Sequence, residues 1–138
     1  MILLDTNVVS ELFQPRPNPI VCNWLVKNDE RLLLNAVTLA ELAYGIAMLS
    51  DGRRKAALQA QFDRVEQQFL YKTIPFTAKE AVEFGPLRAK ARLRGRPMSV
   101  PDCQIAAIAK VLGVPLATRN TRDFELCGLE LINPWDVA

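Results

Sequence analysis

No histidine occurs anywhere in the 138 residues, which removes Ser-His-Asp and Cys-His triads, histidine general bases and mixed Cys/His zinc sites. Any chemistry therefore falls to carboxylates, lysine, hydroxyls or a hard metal ion. Cysteine is scarce as well. Cys22, Cys103 and Cys127 are odd in number, widely separated and without a CxxC pair, so they read as small apolar core residues of a reducing compartment. Neither sign of charge dominates: 17 Lys and Arg against 15 Asp and Glu leave a net +2, too little for bulk attraction to favour any partner. Uncharged stretches stop well short of the roughly 20 apolar residues that a membrane-spanning helix needs. Asp5 interrupts any signal-peptide pattern, so a cytoplasmic protein without a membrane segment is expected.

What remains is half apolar and 23% charged, with no low-complexity tract. That is the composition of a globular protein, and the length fits one domain over residues 1–138 with a core of its own. The chain opens with an apolar run, Ile2-Leu3-Leu4, that goes straight into Asp5-Thr6-Asn7. A buried first strand that ends on a carboxylate places that group where open α/β sheets bind ligands. A helix cap at Asp5 or Thr6 is the alternative reading.

A short helix or turn over residues 8–13 should follow, closed by Pro15, Pro17 and Pro19. Proline-first spacing then predicts an amphipathic helix from Pro19 that ends near Asn28-Asp29, and the apolar run 31–35 predicts a second parallel strand. Thr38 has the position of an N-cap, with Glu41 as its capping-box partner. From Leu39 to Leu49 every residue except Glu41 is apolar or small, so this helix is expected to be buried nearly all round. A second, amphipathic helix covers 53–70, and 71–76 is a third strand. Thr77 caps a helix over 78–94 that stops at Gly95. The basic residues alternating through 88–96 form either a solvated face or a phosphate-contacting patch. Ser99, Pro101 and Asp102 start another helix, ended by Gly113. Strands over 114–118, limited to an edge or to its first residues by Pro115, and 128–134 flank a polar turn at 119–124.

Strands alternating with helices predict an α/β fold, a central parallel sheet of four to five strands covered by helices on both faces. In such a sheet Asp5, Glu41, Asp102, Asn120 and Asp123 can all reach one crevice at the carboxyl edge. Crowded carboxylates call for a hard divalent cation, and Mg²⁺ or Mn²⁺ suits oxygen ligands better than zinc. A cation held by carboxylates typically meets phosphate.

Four segments carry a resemblance: Leu3-Leu4-Asp5-Thr6-Asn7-Val8, Thr38-Leu39-Ala40-Glu41-Leu42-Ala43-Tyr44-Gly45, Asp102-Cys103-Gln104-Ile105-Ala106-Ala107, and Ala117-Thr118-Arg119-Asn120-Thr121-Arg122-Asp123-Phe124. In this order and at these separations they resemble the motifs of PIN-domain ribonucleases. Ile132-Asn133-Pro134-Trp135 is similar to the close of the FitB-like, VapC-type toxin branch. The resemblance implies a PIN-domain fold and metal-binding acids at Asp5, Glu41 and Asp102. Many relatives have an Asp where this chain has Asn120, so either Asn120 or Asp123 takes the fourth place. Thr6, Asn7 and Thr118 would support the acids, and Arg119 and Arg122 would contact RNA.

The activity so implied is that of an Mg²⁺- or Mn²⁺-dependent endoribonuclease, the toxin of a type II toxin–antitoxin pair. The implied partners are an RNA substrate, an inhibiting antitoxin, a second copy of the chain, and DNA through the antitoxin. Two alternatives stay open on the residues themselves. An aspartyl-phosphate phosphotransferase would also use an Asp at the end of its first strand, but would want a second Asp where Asn7 stands. A non-catalytic RNA- or protein-binding module would use the same fold without the metal.

Overall fold

The computed structural model describes residues 1–137. Its five strands, β1 (Ile2–Leu4), β2 (Leu32–Asn35), β3 (Thr73–Ile74), β4 (Leu116–Ala117) and β5 (Leu131–Ile132), form one sheet in the order β3-β2-β1-β4-β5. Every pairing is parallel, with Leu3 in register with both Leu33 and Leu116. The parallel α/β expectation holds. The strands are shorter than the apolar runs suggest, because ladder pairing stops where each chain turns toward its helix. Pro115 is tolerated next to the central strand because it lies just before β4 and contributes only its carbonyl, which accepts from Leu3 N–H at 2.9 Å.

Side chains alternate across the sheet, as the strand period of two requires. Ile2, Leu4, Leu32, Leu34 and Ala117 face a core with α1 (Thr6–Glu11), α2 (Pro19–Asn28) and α4 (Arg53–Gln68). Leu3, Leu33 and Leu116 face a second core with α5 (Ala78–Leu93) and α6 (Val100–Leu112). Both faces are thus covered. Between α1 and α4 an apolar cleft of about 360 Å³ opens, lined among others by Val9, Leu12, Leu25, Val65 and Phe69.

One helix departs from the role expected of it. The helix α3 (Ala36–Ala47) is not buried all round: Tyr44 is 64% and Met48, its C-cap, 69% exposed. Its N-terminal turn docks on the sheet while the rest runs along the surface beside α4. The helix that is enclosed is α6, where Cys103 and Ile105 to Ala109 are all inaccessible. Its alanines let it lie close between the sheet and α5, which longer side chains would prevent. Gly113, at φ 67°, ends α6 in the left-handed conformation that a side chain disfavours. Among the described residues no helix is long and apolar enough to cross a membrane.

Candidate active site

β1 carries Asp5 out of the sheet with its backbone still paired, since its N–H donates to Ala117 O at 2.9 Å. The side chain remains 3% exposed, so each carboxylate oxygen needs donors. Oδ1 accepts from Thr6 N–H at 2.8 Å, which also makes Asp5 the N-cap of α1. Oδ2 accepts from the Thr118 hydroxyl at 2.7 Å and from the Asn7 amide at 3.2 Å. The cap reading and the crevice reading of the opening segment therefore describe the same group. Burial pushes the Asp5 carboxyl up to about 6; the Thr118 and Thr6 hydrogen bonds oppose this, and the nearby charges of Asp102 and Glu41 add to it.

Glu41 reaches the crevice by a route the sequence did not suggest. Thr38 is not the cap of α3 and Glu41 forms no capping box. Asn35, at the end of β2, accepts from Thr38 N–H at 2.8 Å and donates to Leu4 O at 2.9 Å, tying the start of α3 to the end of β1. Thr38 thereby moves one turn inside the helix, fully buried, with its hydroxyl 2.9 Å from that of Thr6. The Thr6 hydroxyl donates to Glu41 Oε1 at 2.6 Å. Asn35 was missed, although an Asn closing an apolar run just before a helix is a cap signal.

Asp102 lies in the first turn of α6, where Ser99 Oγ accepts from its N–H at 3.2 Å. Burial raises its carboxyl; Ser99 opposes, while Asp123 and Glu41 push it further up. Asp123 sits on the exposed side of a 3₁₀ helix (Thr121–Cys127) and donates its N–H to Asn120 O at 3.0 Å. Asn120 joins the network through its backbone, whose N–H donates to Thr118 Oγ at 3.0 Å. Arg119 N–H donates to Asn7 Oδ1 at 3.2 Å, and its guanidinium lies over the Trp135 ring at 5.0 Å. Arg122 is exposed, and its carbonyl accepts from Arg96, which also pairs with Glu125 at 2.9 Å. In the basic run 88–96, Arg88 stacks on Phe84 and Arg96 makes that latch, while the other cations lie on an exposed face.

Asp5, Glu41, Asp102 and Asp123 are thus electrostatic neighbours drawn from four separate segments. The ion pairs among the described residues are Lys55–Asp51, Arg96–Glu125 and Lys110–Glu83, so no lysine or arginine neutralises the four. Nor do three acids converge tightly enough to hold a metal as they stand, again among the described residues. The oxygens of Asp5 and Glu41 are turned instead to Thr118, Asn7 and Thr6. In chemistry the donor set nonetheless fits a hard cation: it is all oxygen, it lacks positive charge, and burial, reinforced by mutual repulsion, raises two of its members.

The profile of the PIN domain family matches residues 2–127. A VapC ribonuclease of Sinorhizobium fredii is 37% identical over 140 residues, spanning 100% of both chains. The toxin FitB of Neisseria gonorrhoeae is 38% identical over 140 residues, 98% of this chain and 99% of that one. The solved structure of FitAB bound to an IR36 DNA fragment superposes with a TM-score of 0.93 at 35% identity, over 100% of this chain and 98% of its counterpart.

Proposed function

The chain belongs to the PIN domain family, and from that premise we propose that it is a divalent-metal-dependent endoribonuclease, the toxin of a type II toxin–antitoxin pair. What supports this reading is the uncompensated electrostatic proximity of Asp5, Glu41, Asp102 and Asp123 beside a parallel sheet. Asp5, Glu41 and Asp102 would hold Mg²⁺ or Mn²⁺, with Asp123 rather than Asn120 as the fourth acid. Such an ion supplies charge neutralisation at a phosphodiester and acidification of water.

The protein's own groups then have defined work. Asp5 must be ionised to bind a cation, and the Thr118, Thr6 and Asn7 donors favour that form against burial. The same donors fix the orientation of its carboxylate, and Thr6 does so for Glu41. The reaction is hydrolysis of an RNA phosphodiester by water, with departure of the 3′ oxygen. An antitoxin would inhibit by placing a cationic side chain among these acids, and a homodimer belongs to the same proposal.

Incubation of the purified protein with total RNA, with Mn²⁺ or with EDTA, tests the reading. Cleavage should need the metal and vanish in Asp5→Asn and Asp102→Asn. Metal-independent cleavage, or undiminished toxicity of Asp5→Asn in cells, would remove it. Covalent phosphate trapped on Asp5 would instead favour phosphotransfer, a chemistry poorly served by Asn7 where a second acid is wanted.

A further inference from the structure

Linked to the acids through Arg119 and Asn7 is an open groove of about 570 Å³, lined by Glu11, Gln14, Pro15, Arg16 and Arg119. Two arginines from distant segments meet there, one from the proline-punctuated loop after α1 and one from the turn after β4. Among the described residues neither is ion-paired. The groove's acid, Glu11, is turned to the loop, where its Oε1 accepts from Asn18 N–H at 2.9 Å. The groove therefore presents two guanidinium groups to solvent.

Arg119 is held on three sides. Its N–H donates to Asn7, its carbonyl accepts from Asn133 at 3.5 Å, and its guanidinium rests on Trp135. Asn7 also donates to Asp5, so Arg119 is anchored two hydrogen bonds from the acids. The opposite wall lies at the far end of α1, whose six residues rise roughly 9 Å from Asp5.

Resting on the nuclease reading, the geometry points to this groove as the seat of RNA backbone phosphates next to the scissile bond, with Arg16 and Arg119 as their contacts. The crevice itself is acidic and repels a polyanion, so cations must stand beside it for RNA to approach. The guanidinium fork matches phosphate oxygens in pairs. An arginine already stacked on an indole has surrendered part of its freedom, so fixing it on a phosphate costs less. The groove is also open, and all its lining residues but Pro15 carry polar or charged groups, which suits a strand passing through better than an apolar anchor of a protein partner.

The test measures anisotropy of a labelled single-stranded RNA oligonucleotide with the full chain carrying Asp5→Asn, so that nothing is cut. Adding Arg16→Ala or Arg119→Ala should weaken binding about three- to tenfold and lower the slope of log affinity against log salt by about 0.7 each. Arg64→Ala, on the exposed face of α4, should leave both unchanged. Groove variants that bind with the parent's affinity and slope, or that weaken only an antitoxin peptide, would overturn the assignment, as would a parent that binds no RNA. Cleavage by the wild type in Mn²⁺ is scored separately. Cutting with unaffected groove variants sinks the groove alone, whereas weakened groove variants of a protein that never cuts sink the nuclease reading alone.

Discussion

The hydroxyl of Thr118 donates to Asp5 Oδ2 at 2.7 Å across 113 positions of sequence. It also accepts from Asn120 N–H, so one buried hydroxyl holds both the first-strand acid and the turn that leads to Asp123. The bond exists because β1 and β4 are paired neighbours, with Leu4 in register with Ala117. Both residues leave the sheet at the same edge, one step later.

Thr118→Val keeps the shape and deletes the donor. A buried carboxylate short of one hydrogen bond costs about 1–3 kcal/mol, and the charged form of Asp5 loses a group that favours it. The Asp5 carboxyl should rise above about 6, moving the acidic limb of a kcat/KM pH profile upward, while Thr118→Ser restores it. A profile that stays in place in the valine variant contradicts the role given to this hydroxyl.

The same carboxyl links stability to pH. Asp5 titrates at about 6 in the fold against 3.8 when solvated, so between these values the native state holds more protons than the unfolded chain. Its contribution to stability therefore falls as pH rises through the window of about 4 to 6 and is fully lost above it. Two units correspond to about 3 kcal/mol. Asp5→Asn recovers part of this, less what its amide forfeits as an acceptor. Without metal, the variant should melt above wild type at about pH 7.5, with the difference shrinking toward about pH 4. Calorimetry across that range decides, and a difference that grows on acidification reverses the argument.

Metal binding should follow the opposite sign, because a cation competes with the proton on Asp5 and Asp102. Mn²⁺ should raise the melting temperature more at about pH 7.5 than at about pH 5, and EDTA should abolish the rise. Asp102→Asn should lose most of it. An equal rise at both pH values, or one that survives in the variant, would place the ion elsewhere.

Asn35→Ala tests the link from β1 to Glu41. It deletes the cap of α3 and leaves Leu4 O without the Asn35 amide, for a loss of about 1–3 kcal/mol in urea unfolding. Because α3 carries Glu41, Mn²⁺ affinity should weaken as well. Retention of both would show that α3 is seated by its apolar contacts alone.

Sheet class, helix order and the positions of the candidate acids at strand ends and helix starts were legible in the chain because each is a local signal. Alternation, apolar runs, caps and a carboxylate closing a strand can be read within a few neighbouring residues. The four acids carry that information whatever surrounds them, and the missing histidine narrowed their chemistry before any fold was known. The partners of each group were not legible. The capping of α3 by Asn35 instead of Thr38, the hydrogen bond from Thr118 to Asp5 and the exposure of α3 all depend on strand order. Strand order decides which sequence-distant groups become neighbours. Burial and hydrogen bonding are properties of such neighbours, so the tertiary structure alone could set the charge state of Asp5 and bring Arg16 to Arg119.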